Sequence, residues 1–169
     1  MSSNKIVLTC SDGESFEVEE VVARKLKIVE QMIDKDCPDK AITLENVTVK
    51  ILGLVIVYCK RHADEPRPGR RVAAEKAEKM LEDWDKEFMK SLDVDTILQL
   101  MEAASDLNVN GGSLLDLTCK SIADSMKDKS VEEMRKLFNI VNDYTPEEEE
   151  AIRKEQAWAF ETLNRNRRS

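Results

Sequence analysis

Three helix-start signals follow one another in the last third of the chain, and they constrain the fold more than any other stretch. Ser113, Ser130 and Thr145 are each followed three residues later by an aspartate or a glutamate. This spacing is typical of a capping box, in which the hydroxyl accepts a helical N–H and the acid accepts the N–H of the cap residue. Pro146 directly after the third signal suits the first position of a helix. The pattern therefore predicts three consecutive helices.

The apolar residues of these helices leave two interpretations open. The middle helix, predicted over about 131–138, is too short to be stable alone, because isolated helices below about 12–15 residues are marginal in water. The last helix carries Trp158 and Phe160 on an otherwise charged sequence. Large aromatic residues in such a place either pack against their own domain or anchor a partner by filling a pocket.

The first half of the chain has the pattern of a small α/β domain. Apolar residues alternate on both sides of Asp12-Gly13, which predicts a β-hairpin because both turn residues tolerate positive φ. Helical spacing predicts a helix over 19–33, and a short strand is predicted over 42–44. Segment 47–58 is apolar nearly all round and fits a strand or a buried helix, with its length favouring the helix.

Residues 62–80 interrupt this pattern with two prolines, a glycine and several arginines, and the prolines predict an exposed loop in the first half of this stretch. A short helix is predicted around Trp84, and Asp93 is predicted to cap a helix over 94–107. The sequence Asn110-Gly111-Gly112 should end that helix, with a glycine in the left-handed C-cap conformation.

Charge and composition restrict the class of protein. The formal net charge is −8, with 34 acidic and 26 basic residues, so the molecule repels nucleic acid and anionic lipid. The sequence contains no apolar run near the ~20 residues of a transmembrane helix, and its start lacks the apolar segment of a signal peptide. Four cysteines without CxxC spacing favour free thiols in a reducing compartment. We therefore expect a soluble intracellular protein.

Enzyme chemistry finds little support in the residues. Cys59 and His62 lie three positions apart, but no third group is placed to orient them. The cysteines and the histidine do not cluster as zinc ligands, and Gly111-Gly112 lacks the lysine of a phosphate loop. Residues 147–150 are four glutamates that point around a helix rather than converge, so they fit the positive end of a helix and pairing with basic residues one turn later. We expect no enzyme activity, no cofactor and no metal.

Several long segments resemble a single family. The chain is similar to the Skp family, the adaptor subunits of SCF (Skp–cullin–F-box) ubiquitin ligases, in its C-terminal NIVNDYTPEEEEAIRKEQAWAFE. Similar segments upstream are KIVLTCSDGESFEVEE, ITLENVTVKIL, YCKRHAD, WDKEFMK and LLDLTCKSIADSMKDKSVEEMRKLFNI. The similarity covers almost the whole chain in the order of the family, and the WAFE sequence resembles plant members.

The resemblance implies a mostly helical α/β fold. It implies a BTB/POZ-like core with a small three-stranded sheet over 1–127, including a flexible loop over about 62–80. A helical F-box-binding extension over 128–163 and a basic tail over 164–169 follow. The implied function is that of a non-catalytic adaptor in the nucleus and cytoplasm. It would link an F-box substrate receptor to a cullin, and so promote ubiquitination and proteasomal degradation of substrates.

The resemblance also implies residues for two interfaces. For the F-box these are Leu100, Cys119, Ala123, Met126, Met134, Phe138, Ile140, Tyr144, Ile152 and Trp158. The second to fourth of these repeat at i, i+4 and i+7, the spacing of one helix face. For the cullin the implied residues are Ser105 and Asp106.

The cullin site departs from the family pattern. Members typically read AANYL where this chain reads AASDL at 103–107, and about two extra residues lie near Gly111-Gly112. Aspartate in place of tyrosine removes a large ring and adds a charge that is costly to bury without a partner. We hypothesise that cullin binding is weakened while F-box binding survives; alternatively, a cullin lysine or arginine pairs with Asp106.

A second departure lies in the loop. It is basic around Arg67, Arg70 and Arg71, where members usually carry acidic residues, and it is either a solvated loop or a local anion contact. Two other functions also remain open: an F-box-holding protein that works outside a cullin ligase, and a self-associating BTB-like module. Co-purification with cullin would distinguish the first of these, and a dimer elution volume the second.

Overall fold

The computed structural model describes residues 5–35, 41–63 and 71–158. The elements are β1 (Lys5–Thr9), β2 (Ser15–Glu19), α1 (Glu20–Ala23), α2 (Lys27–Asp34), β3 (Ala41–Thr43), α3 (Val49–Arg61), α4 (Arg71–Lys90), α5 (Val94–Leu107), α6 (Ser113–Met126), α7 (Val131–Leu137) and α8 (Pro146–Glu155). A short 3-10 helix over Asn110–Gly112 precedes α6. The chain divides into two compact units, Met1–Asp128 and Lys129–Ser169.

Some predictions fall outside the described residues. These are the loop arginines Arg67 and Arg70, the aromatic residue Phe160, the cysteine Cys37 and the tail over 164–169. None of the described helices has the length and apolar character needed to cross a membrane.

The first unit is built around a three-stranded sheet in the order β2-β1-β3. β1 pairs antiparallel with β2, with Ile6 opposite Val18, and parallel with β3, with Leu8 beside Ile42. The turn between β1 and β2 contains Gly13 at a φ of +82°, a conformation that glycine adopts without steric cost. The predicted hairpin, the short third strand and the mostly helical α/β fold class are confirmed.

The core of the first unit is centred on α3. The buried residues of this helix are Ile51, Leu52, Val55, Ile56, Tyr58 and Cys59. They form one cluster with buried side chains from the sheet, α1, α2 and α5. Each fully buried aliphatic side chain contributes about 1.5–3 kcal/mol relative to exposure. The prediction of a buried helix in this segment is confirmed.

The helix predicted over 19–33 is wrong as a single element, because the chain breaks between α1 and α2. Leu26 leaves the helical conformation and pairs with Val109 in an isolated antiparallel bridge. The N–H of Asn110 donates to the carbonyl of Lys25 at 2.9 Å in the same contact. Pairing with a segment distant in sequence therefore overrides the local helical spacing.

The flexible loop that the family resemblance implies over about 62–80 is wrong in its second half, because α4 begins at Arg71 and runs for 20 residues. The stretch before residue 80 is rich in alanine, glutamate and lysine, which are strong helix formers. The short helix expected around Trp84 is thus the second half of this longer helix. Buried His62 joins α3 to α4, since its Nε2 lies 2.9 Å from Oδ1 of Asp85.

The junction between α5 and α6 confirms one predicted cap and corrects another. Asp93 caps α5, and its side chain accepts the N–H of Thr96 at 2.8 Å. The left-handed residue that ends α5 is Asn108, at a φ of +47°, and not a glycine. Asparagine tolerates this region because its short polar side chain can hydrogen-bond locally. Gly111 and Gly112 also have positive φ, but they belong to the turn that leads into α6.

The predicted cap at Ser113 is wrong. The N-cap of α6 is Gly112, without a side-chain hydrogen bond, and Ser113 is already helical. Its Oγ accepts the hydroxyl proton of buried Tyr58 at 3.1 Å. This hydrogen bond satisfies a phenol in the core and ties α3 to the start of α6.

Candidate protein-interaction surfaces

The one candidate nucleophile pair of the sequence is part of the core. Cys59 is buried, and burial raises the pKa of its thiol to about 12, so the reactive thiolate is strongly disfavoured at neutral pH. The expectation that no third group is placed beside His62 is wrong, because its Nε2 lies 2.9 Å from Oδ1 of Asp85. The buried, protonated thiol is therefore what disfavours a nucleophile here. Within the described ranges, no group of three or more His, Cys, Asp or Glu residues could hold a metal ion.

The described part of the second unit, up to residue 158, contains two short helices, each held at its start by a capping box. The N–H of Glu133 donates to Oγ of Ser130 at 3.2 Å, and the N–H of Ser130 donates to the Glu133 carboxylate at 2.7 Å. Thr145 and Glu148 repeat the arrangement at 3.3 and 2.9 Å. These backbone donors lower the pKa of both glutamates. Both predicted capping boxes are confirmed.

Ion pairs connect α7 to α8 within the second unit. Arg135 lies 3.3 Å from Glu149, and its hydrogen bond to this carboxylate lowers the pKa of Glu149. Arg153 lies 3.2 Å from Glu132 on α7 and 3.4 Å from Glu149, one turn away on its own helix. The predicted i,i+4 pairing near the end of α8 is confirmed. The two helices are thus joined by polar contacts at the surface rather than by a closed apolar core.

Apolar side chains of the second unit remain open to solvent. Of its residues up to 158, none is classed as buried. The large exposed apolar side chains are Val131, Ile140, Val141, Tyr144 and Trp158. Val141 is 84% exposed and Trp158 is 73% exposed. Exposed aromatic and aliphatic groups concentrated on a short segment mark a protein-interaction surface.

The residues implied for F-box binding fall in both units. On the second unit Ile140, Tyr144 and Trp158 are exposed, whereas Met134, Phe138 and Ile152 are half-buried. On α6 of the first unit Cys119 and Ala123 are exposed and Met126 is half-buried. These nine side chains are accessible to a partner.

Leu100 is the exception among the implied residues. It is 0% exposed and belongs to the core cluster of the first unit. Its side chain therefore does not reach a partner in this structure, and its role is to pack α5. Val141 was not predicted as a site residue, although two adjacent aliphatic residues outside any helical spacing, Ile140 and Val141, were a usable signal.

The residues implied for cullin binding lie at a groove between α5 and α6. Ser105 and Asp106 are both exposed, near the end of α5. The groove has a volume of about 480 Å³ and is lined by Leu98, Met101, Glu102, Ser105, Asp106 and Leu115. The sequence analysis did not name four of these six residues as site residues. Three of the four, Leu98, Met101 and Glu102, lie on α5 at i, i+3 and i+4, a spacing that continues to Ser105 and Asp106 and was a usable signal. The fourth, Leu115, lies on α6.

A small α/β core that carries a helical extension with exposed apolar side chains defines a protein-interaction adaptor. Comparison with known families specifies the class. A family model described as the Skp1 family, tetramerisation domain, matches residues 4–64, and one described as the Skp1 family, dimerisation domain, matches residues 112–159.

Curated relatives agree with these matches. The chain is 59% identical to SKP1-like protein 16 of Arabidopsis thaliana, over 96% of this chain and 99% of the relative. It is 56% identical to SKP1-like protein 14 and 49% identical to SKP1-like protein 1A of the same plant, over 95% of this chain and 100% of each relative. The chain belongs to the Skp1 family, as a plant-type member with an adaptor role in SCF ubiquitin ligases, and the family resemblance of its sequence is confirmed.

Proposed function

We propose that this chain is a non-catalytic adaptor that links an F-box substrate receptor to a cullin, so that substrates are ubiquitinated and degraded by the proteasome. The observation that carries the proposal is the second unit, which has exposed apolar side chains and no buried residue up to position 158. A partner that covers this surface removes apolar area from water, which is favourable. The adaptor contributes geometry, since it raises the effective concentration of substrate near the transferring subunits.

The proposed F-box contacts use the accessible side chains already described. On the second unit they centre on Ile140, Tyr144 and Trp158, and on α6 they use Cys119 and Ala123. Aromatic residues supply large apolar area with few rotatable bonds, which favours them as binding anchors. The proposal does not require Leu100, because its side chain is enclosed.

The proposed cullin contact uses Ser105 and Asp106 at the end of α5. Both side chains are exposed at the groove beside α6. A cullin surface that suits an uncharged aromatic ring would have to desolvate the Asp106 carboxylate without a partner, which costs binding energy. We therefore propose that this chain binds such a cullin more weakly than a family member with asparagine and tyrosine at these positions.

Two observations favour alternative functions. The exposed charge of Asp106 at the proposed cullin contact favours an F-box-holding protein outside a cullin ligase. The matched family models are described as tetramerisation and dimerisation domains, which favours self-association.

Separate pull-downs of an F-box protein and of a cullin N-terminal domain by the tagged full chain distinguish these functions. Capture of both supports the linking adaptor, and capture of the F-box protein alone supports the first alternative. Val141→Asp should abolish F-box capture, because it places a charge on the exposed apolar surface. Val21→Asp is the matched control, since Val21 is a 69% exposed valine on α1, and it should bind normally. Equal capture by both variants would contradict the proposed F-box surface, and elution of the free chain at dimer size would support self-association.

We propose residence in both the nucleus and the cytoplasm, which remains an expectation from the family. A fluorescent fusion of the full chain in plant cells tests it. Fluorescence confined to a membrane-bound organelle other than the nucleus would contradict it.

A further inference from the structure

We infer that the groove between α5 and α6 selects a partner segment that presents an apolar side chain beside a lysine or arginine. The inference rests on the proposed function for the identity of that partner, which would be a cullin with a cationic group at this contact. It goes further because it assigns the groove a charge preference, carried by Glu102 and Asp106.

The floor of the groove is apolar and open. Leu98 and Met101 of α5 and Leu115 of α6 are half-buried, so part of each side chain faces solvent. The thiol of Cys119 donates a weak hydrogen bond to the sulfur of Met101, at 3.7 Å. A surface of this kind is covered favourably by an aliphatic or aromatic side chain.

The rim of the groove is acidic. Glu102 and Asp106 are exposed, lie four residues apart on one face of α5, and line the same groove. Neither carboxylate has an ion pair or hydrogen bond with any residue that the structure describes. Like charges at i,i+4 on a helix destabilise it, so this placement is unfavourable for the free chain.

The position of Asp106 is unfavourable for a second reason. It lies in the last turn of α5, where the helix dipole is negative and where no basic residue is present. By contrast, Asp95 lies in the first turn of the same helix, where an acid is favourable. Residues that go against helix preferences, with no contact that offsets the cost, occur mainly at functional surfaces.

A cationic partner would remove both unfavourable interactions. A lysine or arginine opposite Glu102 and Asp106 would pair with either carboxylate, and the several N–H groups of an arginine could donate to both at once. The methylene stem of such a side chain would also cover the apolar floor. A cullin without a cation at this point would leave the two carboxylates desolvated and unpaired, so the groove discriminates between cullins.

The test uses the full chain bound to an F-box protein, and the N-terminal domain of each plant cullin produced separately. Affinity is measured at 50 and 300 mM salt for Asp106→Asn, Glu102→Gln and both together. For at least one cullin, each substitution should weaken binding about 3-fold, and the pair about 10-fold with a reduced salt dependence. Asp95→Asn is the matched control, because it removes an exposed carboxylate from the same helix outside the groove, and it should bind as the natural chain does.

The double variant Ser105→Asn plus Asp106→Tyr, which removes the charge of Asp106, distinguishes a groove that prefers a cationic partner from a groove that only binds cullins more weakly. Under the inference it loses affinity for the cullin that the neutral variants identify. A gain with every cullin, or unchanged binding of Asp106→Asn and Glu102→Gln, would overturn the charge preference and leave the adaptor function standing.

If the natural chain binds F-box protein but no cullin, the cullin half of the proposed function fails and a second measurement decides the inference. Methyl NMR of the full chain then follows Met101 and Leu115 with two matched peptides, in which a Leu-Leu pair is flanked by lysines or by glutamates. Shifts with the lysine peptide alone support the inference. Equal shifts with both peptides, or none with either, overturn it.

Discussion

At the scale of single residues, Trp158 and Trp84 should separate binding from stability. Trp158 is 73% exposed beyond the end of α8, whereas Trp84 is half-buried and stacks on Phe88 with ring centroids 4.9 Å apart. We predict that Trp158→Ala weakens F-box binding by about 2–4 kcal/mol, the range of an interface anchor, and leaves the melting temperature of the first unit unchanged. Calorimetric titration with an F-box protein and a thermal melt measure the two effects.

The control for this prediction is Trp84→Ala, which should lower the melting temperature and leave F-box affinity nearly unchanged. Two results together would instead make Trp158 a packing residue. Its substitution would abolish the melting transition, and the affinity of the fraction that still folds would be normal for the F-box protein.

The buried hydroxyl and thiol of α3 predict a loss of stability in alkaline solution. Burial raises the pKa of Tyr58 from 10.0 to about 12 and that of Cys59 from 9.0 to about 12. The unfolded chain therefore releases these protons at lower pH than the folded chain does. Their contribution to stability is complete below pH 9 and is lost as the pH rises toward 12. Urea unfolding at pH 8 and pH 11 measures the loss, which should be smaller in Cys59→Ala; an equal loss in that variant would contradict the role of the thiol.

At the scale of elements, the capping boxes should determine how well the second unit is preformed. Ser130→Ala and Thr145→Ala each remove a hydroxyl that accepts a helical N–H, a loss of about 0.5–2 kcal/mol. Because α7 and α8 have no buried residue to hold them, we predict that this loss appears as weaker F-box binding and reduced helical circular dichroism. Thr48→Ala is the control, since Thr48 is the N-cap of α3 but makes no side-chain cap hydrogen bond. Unchanged affinity in the two cap variants would show that the helices are fixed by other contacts.

Elements whose signals are local could be predicted from the sequence. The hairpin around Gly13, the Asp93 cap and the two capping boxes each depend on residues within a few positions of one another. The break at Leu26 could not be predicted, because it depends on pairing with Val109 far along the chain. The start of α4 was missed because the weight given to the prolines and arginines outweighed the helix-forming residues that follow.

The candidate site follows the same division. Trp158 was noticed because a large aromatic on a charged helix stands out in the sequence, although the sequence left open whether it packs or binds. Tyr144 was implied only by the family resemblance. Leu100 was implied for F-box binding by the family resemblance, but its side chain is enclosed in the core. Helical spacing could not show this, because a stripe that faces the core and a stripe that faces a partner have the same period. Glu102 was missed because the groove also needs Leu115, which another helix supplies.

At the scale of the whole molecule, the two units should differ in whether each folds without the other. Every buried apolar residue of the described chain belongs to the unit over 1–128. We therefore predict that a chain ending at residue 128 unfolds cooperatively but no longer binds an F-box protein. Residues 129–169 alone should show little helix, because two short helices without a buried core are marginal in water. Thermal melts and circular dichroism of the two fragments check both statements.

Hydrogen exchange in the full chain gives a second check on this division. Amides of α7 and α8 should exchange quickly in the free protein and slow when an F-box protein binds, since ordering accompanies binding of a marginal segment. Equal protection in the free and bound states would show that the second unit is already rigid.

The pairing of Leu26 with Val109 also affects how the protein is made. The second residue is synthesised 83 positions after the first (109 minus 26), which at typical translation rates is a delay of roughly 4–17 s. By the end of that interval the hairpin and the apolar helix α3 have been synthesised, but the pairing of Leu26 with Val109 has not yet formed. The nascent chain therefore exposes apolar surface that chaperones can bind before its first unit can fold completely. Refolding in vitro should be slower than for a simple helical bundle of equal length, because contacts distant in sequence must form first.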